Sequence, residues 1–506
     1  MKNKIYATTS IVTALSVAER SLGFLYRIVL SRLIGAEGLG LYQVSVSLFS
    51  LFLTIGTGGI PITVSRMISK SKAENQPLGE RRAVSAGLFL SLCLTLPFCL
   101  FFGLFGNKIP FLFSDERSFR VFRILLIGLV FSSVYAVLRG SCWGNKRFLL
   151  PSVLEIAEEA VMVIAGIVLL RNVSSPVGGA EKAAWAVVIS YLFSFTASVV
   201  AFFVCGGKLA KPNAALKPLF RSAMPITSVR ASGSLVTSAV AVLLPVMLVR
   251  AGFSESEALQ MFGIVSGMVL PILFIPSTII GSLALVLVPE LSEDFYRKNR
   301  ERLQKNIRRG LKFSLLVACA LLPFFYALGS DVGRIAYSNA QAGAMIAKSG
   351  LILLPMSLTM ISTSALNAMG FEKQTFVFYF VGAAALFVCI LFLPAICGIY
   401  AYVIGLGASY TLTAACNLIF LQKQCPIFRN DGNATRERGV VPALIATLPI
   451  AFFGKCVNNI LKYFVGEAFA LLGSAVCIAA VTLIVYGVLG IVTFRAVKTK
   501  LLGRER

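Results

Sequence analysis

Histidine is absent from the 506 residues, and tryptophan occurs only twice. Without imidazole the chain can build no histidine-based catalytic dyad or triad and no imidazole metal site. No GxxxxGK[ST] loop is present to hold a nucleotide phosphate either, so no metal, no cofactor and no catalytic residue is expected. Charge is scarce, at 14% of residues. Most of the eleven cysteines, Cys93, Cys99, Cys205, Cys319, Cys389 and Cys477 among them, lie inside apolar runs. They read as small core residues, not as a disulfide framework. What fills the sequence instead is apolar: 57% of residues are hydrophobic, and the mean hydropathy is +0.84.

Apolar runs of about 20 residues recur from end to end, each long enough to cross a ~30 Å hydrocarbon layer as a helix. The chain therefore reads as an all-α polytopic membrane protein. Polar punctuation places fourteen transmembrane helices, from 7–33 and 41–68 at one end to 440–460 and 467–493 at the other, with helix 8 at 257–288. A cleaved signal peptide is the competing reading of MKNK and the short apolar stretch after it, but the residues beyond Ala18 continue the same helical pattern.

Lysine and arginine test the count, because one helix too many would invert the side of every later loop. With the N-terminus inside, inner segments carry 30 Lys plus Arg, outer segments carry 9, and 8 fall within helices. Both termini are thus expected on the cytoplasmic side. The net charge of +25 is then mostly topology and contact with anionic membrane lipids, not nucleic-acid binding.

Weak internal similarity suggests duplication. "TSVRASGSL" (227–235) echoes "SVAERSLGF" (16–24), and "ALNAMGFEKQTF" (365–376) echoes "VLRGSCWGNKRF" (137–148). The expected organisation is an N-terminal six-helix lobe (1–205), a cytoplasmic linker (206–221), a C-terminal six-helix lobe (222–421) in the same orientation, and two further helices at 440–493. The basic segment 290–312 is expected to form a separate cytoplasmic amphipathic helix.

Charges inside the helices carry the functional reading. An arginine at mid-membrane costs several kcal/mol, from about 2.5 upward, and normally faces water or a partner. Arg20 sits about 20 Å into helix 1 by the helical rise, too deep to reach either surface. Arg27, seven residues on, returns to nearly the same face. Arg230 occupies the matching place in helix 7. These three are expected to line a central cavity and to bind substrate; the other reading for Arg27 and Arg32, and for Arg66 and Arg139, is snorkelling to the headgroups. Guanidinium suits phosphate oxygens, and the simplest phosphate-bearing cargo that must cross a membrane is a lipid-linked pyrophosphate.

A second group, "PSVLEIAEEAVMVIAG" (151–166), puts Glu155, Glu158 and Glu159 within one turn of helix 5. Carboxylates three and four apart share a helix face and compete for a proton, which is what a proton-coupling site needs; Glu19 is a further candidate. Ion pairing with Arg139 or Arg20 is the alternative. Gly58, Gly59 and Pro61 in "GTGGIPITVSRMISK", and Pro225 in helix 7, are expected to bend their helices.

The stretches "ERSLGFLYRIVLSRLIGAEGLGLYQVSVSLFSLFLTIGTGGIPITVSRMISK", "LRGSCWGNKRFLLPSVLEIAEEA" and "ALNAMGFEKQTF" resemble the oligosaccharide flippase branch of the multidrug/oligosaccharidyl-lipid/polysaccharide (MATE/MOP) exporter superfamily, with stage V sporulation protein B-like and MurJ-like lipid II flippases as the nearest likeness. The resemblance implies two lobes around a cavity, alternating access, and transport of undecaprenyl-pyrophosphate-linked saccharide for peptidoglycan or another envelope polymer. It implies that the cavity arginines fall on Arg20 and Arg230, and it gives no reason to expect more than a monomer. Family members with a sodium site use carboxylates on helix 7 and around helices 11 and 12, yet no Asp or Glu occurs from 222 to 254 or from 375 to 430. Two other functions compete. A cation-drug antiporter would draw on the helix 5 glutamates. A membrane glycosyltransferase is disfavoured by outer loops of only about five to twenty residues with few acids to serve as general base.

Overall fold

Fourteen crossings need long helices with breaks at the right places, and local sequence supplies both. The computed structural model describes residues 2–105, 113, 115–173, 175–426 and 439–490, with side chains from Ile11 onward except at 285. Among the described residues every regular element is helical. Contacts divide the chain into two compact units, Met1–Gly267 and Met268–Arg506; the linker expected from the sequence lies earlier, at 206–221.

The first unit holds α1 (Lys2–Thr57), α2 (Ile60–Ala73), α3 (Pro77–Phe105), α4 (Glu116–Gly144), α5 (Leu149–Leu170), α6 (Pro176–Val204), α7 (Asn213–Arg250) and α8 (Glu255–Gly263). Starts are marked by side chains that take up free N–H groups. Asp115 accepts from the Arg117 amide at 2.7 Å, and Ser175 from Gly178 at 3.2 Å, ahead of Pro176. Ser254 and Glu257 cap each other's backbone reciprocally, a capping box. Within α1 the ladder is interrupted at Gly35, whose φ of 71° is open to glycine and costly for other residues. This break separates the first crossing from the second.

The second unit begins inside a π-helical turn, Ile264–Val269, and continues through α9 (Leu270–Leu273), α10 (Ile275–Tyr296), α11 (Arg300–Tyr337), α12 (Ala340–Ser349), α13 (Leu353–Ala368), α14 (Glu372–Phe392), α15 (Pro394–Cys397), α16 (Tyr400–Gln424), α17 (Val440–Val465) and α18 (Glu467–Val488). Segment 290–312 is not the separate amphipathic helix expected from the sequence. Its first part ends α10 and the rest begins α11, because Lys298 turns left-handed (φ 58°) and the Asn299 side chain caps the new helix through the Arg302 amide at 3.2 Å. Asp294 fastens the turn, accepting from Asn306 at 2.8 Å and pairing with Arg302 at 3.3 Å.

Thirteen described helices are long and apolar enough to span a bilayer. The 63-residue run Ile11–Ala73 is long enough for two crossings, and Leu149–Leu170 with its three glutamates falls outside the thirteen, so the count lies close to the fourteen expected. Met1 and residues 491–506, on which the expected cytoplasmic termini rest, lie outside the described residues, as does much of the expected loops 106–120 and 422–439.

Exposed apolar side chains ring the helices, as a lipid-facing surface requires. Buried polar groups tie the helices together. In the second unit the buried Asp331 of α11 accepts from Lys462 at 2.7 Å, from Arg334 at 3.0 Å and from the Asn458 amide, so α17 is fastened to α11. Arg334 also pairs with Glu467 at the start of α18, at 3.0 Å.

Candidate functional site

Two polar centres lie inside the first unit; they contain the glutamates, Arg139, Arg230 and the glycine-proline break, while Arg20 stands outside both. The first is the helix break after Thr57, where the chain leaves helical geometry at Gly58 and Gly59 before Pro61 enters α2. A break within a membrane frees backbone groups that have no water to turn to, so each needs a protein partner. Here the Gly59 amide donates to Thr227 Oγ1 at 2.9 Å, the Gly58 carbonyl accepts from Arg230 Nη1 at 3.0 Å, and the Gly56 carbonyl accepts from Ser91 Oγ at 3.0 Å. Further along, Thr54 and Ser234 share a hydrogen bond at 3.0 Å. Helix α7 is therefore stitched to the break by Thr227, Arg230 and Ser234, one face of it at helical spacing. Glycine is required at 59 because a Cβ there would meet the Ala223 carbonyl. α7 is one continuous helix through Pro225.

Arg230 thus has a structural partner, while the residue as a whole is exposed. Its loss should loosen the break. Arg230→Ala is expected to cost about 1–2 kcal/mol, at the lower end for a hydrogen bond from a charged group because the residue is exposed, read as a lower midpoint of thermal unfolding in detergent, with Arg230→Lys recovering part of it.

The second centre surrounds the glutamates of α5. Glu155, Glu158 and Glu159 lie within one turn, yet they address three different neighbours. Glu155 Oε1 accepts from Arg139 Nη1 of α4 at 2.8 Å. Glu158 faces Ser194 of α6, and its Oε2 is buried without a hydrogen-bond partner. Glu159 turns to α1, where its Oε1 occupies the space a side chain at Gly23 would take, 2.6 Å from an ideal Cβ. Glu19 is half-buried on the side of α1 within electrostatic reach of Glu155 and Arg139. Of the alternatives open for these acids, the ion pair with Arg139 is formed, and Arg139 does not run free to the headgroups. Its guanidinium also sits over the rings of Trp143 and Tyr135, at 5.0 and 5.7 Å, where a cation is attracted by the π faces.

Arg20 and Arg27 are both exposed on α1. Arg27 lies within electrostatic reach of Glu159 and Tyr42. The structure therefore brings Glu19, Glu155, Glu158 and Glu159 into one region with Arg27 at its edge, and seats Arg230 elsewhere, on the helix break. Four buried polar atoms in the glutamate centre have no partner: Glu158 Oε2, Arg139 Nε, Tyr26 Oη and Tyr135 Oη. Buried groups of this kind are normally satisfied, so the centre is chemically equipped to take up a proton, a water or a small cation.

Sequence reasoning passed over Gly23, Gly166, Tyr26, Ser194 and Thr227. Gly166 is where the Tyr26 hydroxyl packs. Ser190, Ser194 and Ser198 form a buried stripe on α6 that repeats every four residues, and that period could have flagged a polar helix face.

Residues 5–295 match the model of a family described as polysaccharide biosynthesis protein. Stage V sporulation protein B of Bacillus subtilis is 24% identical over 353 residues, 67% of this chain and 68% of that one. Lipid II flippase MurJ of the same organism is 22% identical over 408 residues, 74% of each. Among solved structures, lipid II flippase MurJ in an inward closed conformation superposes with a TM-score of 0.70 at 14% identity, covering 94% of this chain and 98% of that one. With a family match that takes in more than half of its length, this chain of many membrane-spanning helices belongs to the polysaccharide biosynthesis protein family.

Proposed function

We propose that the protein moves an undecaprenyl-pyrophosphate-linked saccharide such as lipid II across the bacterial cytoplasmic membrane by alternating access, for peptidoglycan or another envelope polymer. The observation that carries this reading is the exposure of Arg20 and Arg27 on one face of a membrane-spanning helix, since an unshielded guanidinium at that depth needs water and an anion. A diphosphate offers both charge and geometry. Arg20 and Arg27 bind it, the free part of Arg230 adds a third cation, and Glu19, Glu155, Glu158 and Glu159 exchange the proton that drives the cycle. Bending at Gly58, Gly59, Pro61 and Pro225 accommodates the change of shape. The duplicated lobes 1–205 and 222–421, with 440–493 appended, are the frame of the cycle, and a monomer with both termini in the cytoplasm is sufficient for it.

Arg20→Ala, at normal expression, is expected to abolish growth of a strain depleted of its own lipid II flippase and dependent on this gene. Full growth with Arg20→Ala would reject the assignment. The carboxylate centre favours one second reading, an organic-cation antiporter; resistance to a cationic dye on overexpression, lost in Glu158→Gln, would select it.

A further inference from the structure

At one end of the first unit the start of α3 and the turns after α4 and α6, all expected on the cytoplasmic side and each contributing a Lys or Arg, converge around a cavity of about 270 Å³. That is room for roughly nine waters at their share of liquid volume. Three cations line it: Arg81 from the first turns of α3, Arg147 from the α4–α5 turn, and Lys208 from the turn after α6. Arg81 is half-buried, Arg147 and Lys208 are exposed, and among the described residues none of the three has an ion-pair partner. One acid, Glu80, shares the wall, so the lining keeps a positive excess. Asn145 adds an amide whose Nδ2 is already donated to the Ser141 carbonyl at 2.8 Å.

The rim identifies the source of the ligand. Phe148 directly follows Arg147, and Phe203 and Val204 end α6 directly before the Cys205–Lys208 wall; they are 44%, 57% and 81% exposed. Large apolar side chains at such exposure, next to a basic hollow at the end of a membrane-spanning bundle, mark the depth where headgroup meets acyl chain. Here a phosphate could sit among Arg81, Arg147 and Lys208 while its chains run down past Phe203 and Val204.

We infer that this cavity is a binding site for a phosphate-bearing anionic headgroup, that of an inner-leaflet phospholipid, separate from the residues assigned to transport. Its ligand chemistry follows from three convergent cations around a hollow of headgroup size, and its lipid source from the apolar rim. The site offers two arginines, which bind phosphate oxygens through fixed pairs of donors, and one lysine as a point charge. A lipid held here would brace α3, α4 and α6 at the membrane surface.

Cys205 is an exposed thiol on the cavity wall, which gives a direct readout. The full chain, purified and placed in nanodiscs of phosphatidylcholine with or without phosphatidylglycerol, would be alkylated and its Cys205 peptide quantified, with retained lipid counted by native mass spectrometry. Phosphatidylglycerol is expected to slow alkylation about tenfold, the combined pull of three partly screened cations, and to remain bound as one molecule. Arg81→Gln/Arg147→Gln/Lys208→Gln should lose both effects. Arg300→Gln/Lys305→Gln/Arg309→Gln, an equal loss of charge on α11, should keep them. If the triple variant does not fold, Arg81→Gln alone should still lose severalfold protection. Equal protection by phosphatidylcholine, unchanged protection in the Arg81 variants, or equal loss in the α11 variant overturns the site. Protection by glycerol 3-phosphate without anionic lipid would assign the cavity to a soluble phosphate ester and overturn the lipid source.

Discussion

Arg139→Leu is expected to be among the most damaging single substitutions in the first unit, at about 3 kcal/mol, because removing one partner of a largely buried ion pair strands the other. Glu155 would be left without its partner at 2.8 Å, beside Glu19 and Glu158. The neighbouring rings of Trp143 and Tyr135 would lose their cation as well. The Arg139 and Glu155 side chains are 31% and 22% exposed, so water softens the loss below the upper end of the range for fully buried pairs. Thermal unfolding followed by gel filtration should show a drop of roughly 6–12 °C, by the usual scaling for units of this size. The double variant Arg139→Leu/Glu155→Leu should recover most of it, since two apolar side chains leave no stranded charge. If the double variant is as unstable as the single one, the pair is not the source of the effect.

Gly263→Val should be at least as harmful for a different reason. A Cβ at Gly263 would lie against the Ala36 carbonyl, 2.6 Å from the Gly40 amide nitrogen and 3.0 Å from its Cα. The contact is reciprocal, because a Cβ at Gly40 would meet the backbone of Leu259. Here α1 and α8 cross backbone to backbone, the close approach that small residues permit between membrane helices. Backbone cannot rotate away as a side chain can, so the two helices must separate, and the strain of overpacking, typically about 1–3 kcal/mol, is joined by the loss of packing along the whole crossing. Valine at 263 should abolish the folded monomer peak, and alanine should lower it. Gly103→Ala provides the control: nothing lies within 4 Å of its Cβ position, so that variant should be unchanged or slightly more stable, as helix propensity dictates. An intact Gly263→Val protein would mean that the crossing is looser than the glycines imply.

Much of the architecture is legible in the sequence because the bilayer is a demanding solvent. A run such as 467–493 can satisfy its backbone in hydrocarbon only as a helix, polar punctuation marks roughly where runs begin and end, and the Lys and Arg counts test their number. The first two crossings illustrate the limit. The expected helices 7–33 and 41–68 become a continuous stretch with a break at Gly35 and a second at Gly58 and Gly59, since apolar composition sets length, while the place of a break depends on which neighbours can satisfy the freed backbone. The segment 290–312 shows the same limit from the polar side: its charge pattern suits a surface helix, and a left-handed Lys298 with an Asn299 cap divides it.

By itself the sequence determined that this protein lies across a membrane as helices, roughly where each crossing falls, and that arginines and glutamates occupy positions where charge is costly. Only the tertiary structure decided what those charges face. Glu155, Glu158 and Glu159 share one turn, yet one takes Arg139, one looks toward Ser194 and one fills the notch at Gly23. Arg230 matches Arg20 in the sequence, yet it holds the Gly58 carbonyl. The reason is physical: hydropathy and length act along the chain and can be read there, whereas a hydrogen bond or an ion pair depends on which helix stands opposite, and that is settled by how glycines such as Gly23, Gly59 and Gly263 let the helices approach.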